Sequence, residues 1–317
     1  MALLKPLNLK KLSDETFGLA AGHRLCSGCA IAPIIKEILL AAQYPVILVN
    51  ATGCLEVAAT IYPYTSWRVP WIHSAFENAA ATISGVETVY RALKAEGMVK
   101  EDLRFIAIGG DGGTYDIGFQ ALSGAIERGH KFTYVCYDNE AYMNTGMQRS
   151  GGSTYASWTT TTPVGKKSFG KDRPAKPLMD IVVAHGLPYA ATASPAYWRD
   201  LMQKVQRALD ADGPSFINVI QPCIPGWKIE PNLGIEMARL AVETAYWPLY
   251  EVVEGAYRIT VKPKAKKPLE DWLKPQGRFK HLFKPEYKER LEELKRQVDK
   301  RWERLQKLES ASMTEAA

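Results

Sequence analysis

Short apolar runs alternate with longer amphipathic stretches between residues 46 and 220, which is typical of crossover units on a parallel β-sheet. Because two parallel strands need a long connection, usually a helix, we expect helices on both faces of that sheet. The pattern therefore predicts the α/β fold class. The predicted strands are residues 46–49, 105–108, 132–137, 189–191 and 216–220.

Two stretches between these runs have the spacing of helices. Residues 74–93 are rich in alanine and carry apolar side chains three or four positions apart, which predicts a helix packed tightly on the sheet. Residues 118–128 follow a glycine-rich turn. The N-terminus of this second helix would direct partial positive charge at a bound phosphate.

Residues 150–177 break the alternation. Four threonines at 159–162 are surrounded by glycine, proline and lysine, and no periodicity is present. A segment of this kind is either a disordered insertion or a functional loop, such as a lid or a partner contact. The sequence leaves both interpretations open.

The hydrophobic pattern of the chain changes again after Cys223, and residues 238–259 have a mixed pattern. We expect an α/β domain at residues 1–235 and a C-terminal extension at 236–317, with the proline-interrupted residues 261–285 wandering over a surface. An amphipathic helix is predicted beyond them, with its stripe contacting another subunit. The apolar residues of the stripe are Leu291, Leu294, Val298, Trp302, Leu305 and Leu308.

Composition is that of a soluble protein with a sizeable core, since 46% of the 317 residues are hydrophobic. No apolar run approaches the roughly 20 residues that a membrane helix needs. The net charge of +6 is uneven, because residues 262–307 hold 16 Lys or Arg against 8 Asp or Glu. This basic tail contains no recognisable nucleic-acid module, so it predicts solvent or subunit contacts rather than nucleic-acid binding.

A Gly-Asp-Gly-Gly turn at residues 110–113 directly follows one predicted strand, and Asp138 and Asn139 stand behind another. A carboxylate and an amide oxygen at neighbouring strand ends are hard ligands for Mg²⁺, and glycines let backbone N–H groups approach phosphates. Most Gly-Asp-Gly tripeptides are ordinary turns. Here the spacing and the strand context favour a diphosphate held through a divalent metal, with Asp111 and Asn139 as ligands.

The five cysteines divide into two groups. Cys26 and Cys29 form a C-x-x-C pair, and Cys54 and Cys223 each fall in a loop just past a predicted strand. Cys136 lies inside a predicted strand, where a small buried hydrophobe fits. The four loop thiols predict a Cys₄ centre, either structural zinc or a 4Fe-4S cluster, and their spacing does not separate the two.

Disulfides are the alternative use of these thiols. Residues 1–11 contain lysines but no long apolar core, so we expect no secretory signal peptide. A reducing cytosol disfavours disulfides. The expected location is therefore cytoplasmic.

Five stretches together resemble the beta subunits of multi-subunit pyruvate:ferredoxin oxidoreductases, also called pyruvate synthases, in the 2-oxoacid:ferredoxin oxidoreductase family. They are residues 22–29, 51–56, 61–65, 106–120 and 137–146. The resemblance extends over nearly the whole chain. It implies the diphosphate-binding half of a thiamine diphosphate-binding fold, which contains thiamine diphosphate, Mg²⁺ and a 4Fe-4S cluster.

The resemblance also implies a role for each matching residue. The cluster ligands are Cys26, Cys29, Cys54 and Cys223. The side chains of Asp111 and Asn139 and the backbone carbonyl of Ala141 hold Mg²⁺. The diphosphate lies against the turn formed by Gly110, Asp111, Gly112 and Gly113. Asn144 reaches the thiazolium end of the cofactor, where substrate reacts.

Partner subunits are implied as well. Thiamine catalysis needs a glutamate beside the aminopyrimidine, and by family analogy an alpha subunit with a pyrimidine-binding domain supplies it. Glu56 is a conceivable substitute within this chain. Gamma and delta subunits are also implied, the delta subunit with ferredoxin-like clusters that lead to ferredoxin. The isolated chain is expected to be inactive.

The implied reaction is oxidative decarboxylation of pyruvate to acetyl-CoA and CO₂, with electrons passing through the cluster to ferredoxin. The same chemistry on another 2-oxo acid, or on oxalate without transfer to coenzyme A, is a close alternative. A non-catalytic assembly subunit stapled by zinc is a remote alternative from a different class.

Overall fold

The structure is a computed structural model that describes residues 7–8, 10, 12, 18–42 and 44–315. The expectation of no signal peptide falls on the first 11 residues of the chain, most of which lie outside the described residues. Within the described part, no helix is both long and apolar enough to cross a lipid bilayer.

The strands of the described chain are β1 (Val46–Ala51), β2 (Trp71–Ser74), β3 (Arg104–Gly110), β4 (Thr133–Asp138), β5 (Val164–Gly165), β6 (Ser168–Phe169), β7 (Tyr189–Ala193), β8 (Ser215–Ile220), β9 (Leu249–Val253) and β10 (Ala256–Val261). In the described residues, eight of them form one sheet in the order β10-β9-β7-β8-β4-β3-β1-β2. The pairs from β7 to β2 are parallel, and β9 and β10 are antiparallel to their neighbours. All the predicted strands are present.

The helices of the described chain are α1 (Ile31–Ala41), α2 (Cys54–Ala59), α3 (Ala79–Ala95), α4 (Phe119–Glu127), α5 (Leu178–Val183), α6 (Trp198–Asp210), α7 (Ile224–Trp227), α8 (Gly234–Glu243), α9 (Leu269–Leu273) and α10 (Lys288–Glu315). A π-helical segment spans Gly112–Ile117, and 3₁₀ helices span Pro195–Tyr197, Pro231–Leu233, Gly277–Phe283 and Pro285–Tyr287.

Both faces of the sheet are covered, as predicted. Successive side chains of a strand point to opposite faces. In β3, Ile106 and Ile108 belong to the core that includes α1 and α6, whereas Phe105 and Ala107 belong to the core that includes α3 and α4. This double burial explains why the central strands have continuous apolar sequences.

Three strands of the eight-stranded sheet were not predicted, and all three lie towards its edges; the short β5-β6 hairpin was not predicted either. The edge strand β2 leaves Ile72 and His73 exposed, so its sequence has no apolar run. Strands β9 and β10 come from the stretch that looked mixed, and β10 is the opposite edge. An edge strand buries fewer side chains, which weakens its signature in the sequence.

The two predicted helices need adjusted boundaries. The first begins at Ala79 rather than at residue 74, because Ser74 still pairs with Ala51 in the sheet. The second is α4, but the π-helical segment separates it from the glycine turn. The expectation that α4 itself faces the phosphate site is therefore wrong, since the π-helical segment begins there instead.

The interpretation of residues 150–177 as a disordered insertion is also wrong. The segment contains the β5-β6 hairpin, and its first turn is buried. Lys171 is 1% exposed and donates to the carbonyl oxygens of Gly151 at 3.4 Å and Pro174 at 3.3 Å, and also to that of Ser153. The buried Lys171 side chain thus joins several parts of the segment. The interpretation of residues 150–177 as a lid or a partner contact stays a prediction.

The C-terminal extension is integrated into the body of the protein. Strands β9 and β10 extend the main sheet, and residues 261–285 do not simply wander over a surface, because they bury Trp272, Phe279 and Leu282. These side chains form a third core with Trp227 and with the C-terminal helix. The two-part division of the chain stays a prediction.

The apolar stripe of α10 packs on its own chain. Leu291, Leu294 and Val298 join the third core, and Leu305 joins the core beside α3 and α4. An unpartnered stripe is therefore no longer a reason to expect a subunit clamp. The prediction that this stripe contacts another subunit is wrong for the residues that these cores bury, and subunit contacts of the C-terminal extension stay a prediction.

Replacing Leu294 with alanine should destabilise the chain substantially. Leu294 is 2% exposed, and deletion of a buried leucine side chain typically costs about 2–5 kcal/mol. Denaturant unfolding of the subunit measures the loss. Met313→Ala on the same helix is the control, because Met313 is 60% exposed and should cost almost nothing. Equal stability of the two variants would contradict the observed packing of the helix.

Candidate functional site

The predicted metal ligands meet at one edge of the sheet. Asp111 directly follows β3 and Asn139 directly follows β4, and these strands are parallel neighbours. Their carboxyl ends therefore lie side by side. A cavity of about 160 Å³ opens at this edge and is lined by the 110–113 turn, by Asn139 and by residues 141–145. Ligands of open α/β sheets commonly bind at such a position.

Three oxygen atoms converge beside this cavity. Asn139 Oδ1 lies 3.0 Å from Asp111 Oδ1 and 2.8 Å from the carbonyl oxygen of Ala141. Three acceptors this close repel one another unless a cation lies between them. Adjacent ligands of an octahedral Mg²⁺ are about 2.9 Å apart, because each Mg–O bond is about 2.0–2.1 Å. The arrangement can therefore hold Mg²⁺.

The orientation of the Asn139 amide supports this arrangement. Its Nδ2 donates to Gln221 Oε1 at 2.9 Å, and Gln221 Nε2 in turn donates to the carbonyl of Pro222 at 2.7 Å. The opposite orientation would let Asn139 donate to Asp111 and Ala141, but it would set the Asn139 oxygen against Gln221 Oε1. The Gln221 contact therefore favours an oxygen pointing at the cavity.

Buried negative charge surrounds the site. Burial, and then the charge of Asp138, raises the pKa of Asp111 well above its usual value. Burial, and then the charge of Glu140, raises the pKa of Asp138 to about 7. Glu140 has a cationic partner in Arg278 at 2.6 Å. A bound divalent cation would offset the repulsion between the other two carboxylates.

The glycines of the 110–113 turn leave room for a ligand near the backbone and for the ring of Tyr142. The π-helical segment starts at Gly112, so its first N–H groups lack intrahelical acceptors and can meet an anion. A Cβ atom at Gly112 would lie 2.5 Å from the ring of Tyr142, which also lines the cavity. Gly110 and Gly113 complete the turn, and exposed Asn144 also lines the cavity.

A second cavity, of about 400 Å³, is lined by all four predicted ligand thiols. Cys26 and Cys29 lie in a turn, Cys54 is the first residue of α2, and Cys223 caps α7. Burial is the largest cause that raises the pKa of Cys29 to about 11 and that of Cys54 and Cys223 to about 12, and the neighbouring thiols add to it.

A metal deprotonates the thiols that bind it. Within the described residues, no group of three or more His, Cys, Asp or Glu side chains is arranged around a single metal ion. The cavity is instead an open thiol-lined space.

The two cavities adjoin each other. Cys54, Met143 and Asn144 line both of them. The two cavities therefore share part of their walls. A group held in one cavity would lie next to a group held in the other.

The remaining predicted residues fall elsewhere. Cys136 is fully buried in β4 and belongs to the hydrophobic core, as predicted for a small buried hydrophobe. Glu56 is not among the residues that line the oxygen site. Its Oε1 faces His73 Nδ1 at 3.7 Å, and His73 Nε2 is 2.7 Å from Thr52 Oγ1.

Sequence reasoning missed Ser150 and Gln221. Ser150 is fully buried and donates its hydroxyl to Asp111 Oδ2, which leaves Oδ1 free at the oxygen site. Gln221 contacts Asn139, as described above. Ser150 opens a segment without periodicity, so no local signal marks it. Gln221 is a polar residue directly after the largely apolar strand β8, two positions before Cys223, and that placement is a usable signal.

Gly28→Ala should disrupt the C-x-x-C turn. Gly28 has φ +76°, and a Cβ atom there would lie 2.1 Å from the carbonyl oxygen of Pro231. The turn must therefore move, and Cys26 and Cys29 with it. We expect loss of metal content, measured as bound metal per subunit. Gly22→Ala is the control, because Gly22 has φ +91° but open space around it, so only about 1–2 kcal/mol of strain is added. Full metal content in Gly28→Ala would contradict the prediction.

Comparison with known proteins identifies the family of this chain. Residues 51–219 match the family described as thiamine pyrophosphate enzyme, C-terminal TPP binding domain. The chain is 53% identical to pyruvate synthase subunit PorB of Thermotoga maritima, over 97% of this chain and 98% of that protein. It is 46% identical to ketoisovalerate oxidoreductase subunit VorB of Pyrococcus abyssi, over 91% and 92% of the two chains.

A solved structure also has this fold. It is a 2-oxoglutarate:ferredoxin oxidoreductase from Magnetococcus marinus, with a TM-score of 0.55, 18% identity and coverage of 74% of this chain and 81% of that one. Fold and site together define an α/β subunit with a thiamine pyrophosphate-binding domain. The chain belongs to the family of PorB subunits among the 2-oxoacid:ferredoxin oxidoreductases.

Proposed function

We propose that this subunit holds thiamine diphosphate through Mg²⁺, beside a 4Fe-4S cluster, for the oxidative decarboxylation of pyruvate to acetyl-CoA and CO₂. The observation that carries the proposal is the pair of adjoining cavities, one with three converging oxygens and one with four thiols. Cys54, Met143 and Asn144 line both.

The Mg²⁺ ligands in this proposal are Asp111 Oδ1, Asn139 Oδ1 and the carbonyl oxygen of Ala141. Their separations of 3.0 and 2.8 Å fit neighbouring positions of an octahedron. The Ser150 hydroxyl orients the carboxylate of Asp111, and Gln221 orients the amide of Asn139. Such outer partners typically tune a metal site.

The cofactor ends are assigned by position. The N–H groups of Gly112 and Gly113 start a helical segment and would bind the diphosphate. Asn144 lies where the two cavities adjoin and would contact the reacting end of the cofactor. When bound, thiamine diphosphate supplies the electron sink for decarboxylation of the 2-oxo acid. Cys26, Cys29, Cys54 and Cys223 would hold the cluster next to it.

Other subunits complete the enzyme in this proposal. Glu56 faces His73 and does not line the oxygen site, which favours an activating glutamate from an alpha subunit. Gamma and delta subunits, the latter with ferredoxin-like clusters, would carry electrons to ferredoxin. Coenzyme A accepts the acyl group. A reducing, cytoplasmic setting would keep the four thiols available for the cluster.

A second substrate has a specific observation in its favour. The chain is 46% identical to a ketoisovalerate oxidoreductase subunit over 91% of its length, so a branched 2-oxo acid is the second candidate. The identity of 53% to pyruvate synthase subunits favours pyruvate.

Turnover of the intact, anaerobically purified complex tests the proposal. Pyruvate, 2-oxoisovalerate and oxalate are compared, each with and without coenzyme A, with ferredoxin reduction as the signal. We expect the highest kcat/KM with pyruvate and strict dependence on coenzyme A. Activity on oxalate without coenzyme A would overturn the assignment of pyruvate as the substrate. A colourless subunit with stoichiometric zinc would overturn the enzyme assignment altogether.

A further inference from the structure

Gln221 contacts both cavities. Its Oε1 accepts from Asn139 Nδ2 at 2.9 Å, and its Nε2 is 3.7 Å from Cys29 Sγ, within range of an N–H···S hydrogen bond. The side chain is 1% exposed. One buried amide therefore joins a residue of the oxygen site to a residue of the thiol site.

The sheet holds Gln221 in this position. Strands β4 and β8 are parallel neighbours in which Asp138 is opposite Ile220, and the N–H of Gln221 donates to the carbonyl of Asp138 at 2.7 Å. Gln221 is thus backbone-bonded next to Asn139. Cys223 follows two residues later, and Trp227 Nε1 donates to the carbonyl of Asn139 at 2.9 Å. The segment after β8 therefore contributes to both sites.

We propose that Gln221 is a positioning residue that couples the thiamine diphosphate site to the cluster, an inference that rests on the proposed function. Its carbonyl end holds the Asn139 amide so that Oδ1 faces Mg²⁺. Its amide end donates to the Cys29 thiolate. Neither contact takes part in the reaction itself. Each acts on a cofactor through the residue that binds it, which is Asn139 for Mg²⁺ and Cys29 for the cluster.

Each end has a separate physical effect. Without an acceptor for Nδ2, the Asn139 amide is free to rotate and to turn Oδ1 away from the metal. Loss of such an outer partner typically weakens metal binding about 10- to 100-fold. An N–H donor to a cluster thiolate stabilises the more negative, reduced cluster, so its loss makes the reduction potential more negative.

Two substitutions separate these effects. Gln221→Leu removes both contacts, so we expect Mg²⁺-dependent binding of thiamine diphosphate to weaken about 10- to 100-fold and the cluster potential to become more negative. Gln221→Glu keeps an oxygen that accepts from Asn139 but loses the donor to Cys29. It should retain thiamine diphosphate affinity while its cluster potential becomes more negative.

The measurements use the whole complex, purified anaerobically. Thiamine diphosphate affinity is titrated at fixed Mg²⁺, and the cluster potential is followed by electron paramagnetic resonance in a redox titration. A Cys54→Ala complex identifies which signal belongs to this cluster. Gln206→Leu is the matched control, because Gln206 is a buried glutamine on α6 with an unpartnered Oε1. It should change neither quantity.

The outcomes distinguish the inference from the function on which it rests. A wild-type complex that lacks thiamine diphosphate or the cluster signal would overturn the proposed function. A wild type with both, and Gln221 variants with wild-type affinity and potential, would overturn the coupling role alone. If Gln221→Leu does not assemble, Gln221→Glu decides, and an unchanged potential in that variant overturns the inference.

Discussion

Replacing Asp111 with alanine is expected to abolish retention of thiamine diphosphate and to leave the cluster in place. Asp111 Oδ1 is 3.0 Å from Asn139 Oδ1, and Ser150 holds its other oxygen. Loss of an outer partner already costs about 10- to 100-fold in metal affinity, so loss of the ligand should cost at least about 100-fold. Bound thiamine and bound iron, measured in the same preparation of the complex, give the result.

Asp210→Ala is the control for this experiment. Asp210 ends α6 and pairs at 3.7 Å with Arg104, away from both cavities. That variant should keep both thiamine and iron. Full thiamine occupancy in Asp111→Ala would disprove the metal assignment, whereas parallel loss of iron would mean that the substitution disturbs the fold around both sites.

Cys54→Ala should remove the cluster and with it electron transfer to ferredoxin. Cys54 starts α2 and lines both cavities, so its thiol lies where the two cofactors would meet. We expect about four fewer iron atoms per subunit, since a 4Fe-4S cluster held by three thiolates and no fourth ligand is poorly retained. Iron analysis and the low-temperature electron paramagnetic resonance spectrum measure the loss.

Cys136→Ala is the matched control within the same chain. Cys136 is fully buried in β4 among core side chains, and removing one sulfur atom from a core costs on the order of 1 kcal/mol. This variant should keep its iron and lose only a little thermal stability. If Cys136→Ala loses iron and Cys54→Ala keeps it, the division between ligand and core cysteines is wrong.

The parts of the site that could be predicted are those with local signatures. Asp111 and Asn139 each follow an apolar strand directly, so their placement at one sheet edge depends only on β3 and β4 being neighbours. The same reasoning divides the cysteines. Cys136 lies inside an apolar run, whereas Cys54 and Cys223 each come just after an apolar run. Short-range patterns identify such residues because a strand that is buried on both faces has consecutive apolar residues.

The unpredicted contacts all join distant parts of the chain. Ser150 reaches Asp111 from 39 residues away, and Gln221 reaches Asn139 from 82 residues away. The stripe of α10 was recognised, but its partner was not, because amphipathic periodicity shows that a face is buried without showing what buries it. The structure supplies that partner in Trp272 and Phe279.

By itself, the sequence determined the parallel sheet, the identity of the metal-ligand candidates and the division of the cysteines, because hydrophobic periodicity and residue chemistry act over a few positions. Only the tertiary structure decided which polar side chains from distant segments contact each other. The strand order β8-β4-β3 brings Gln221, Asn139 and Asp111 into one row at the carboxyl edge. Strand order depends on how crossover helices pack across the whole chain, and no local pattern records it.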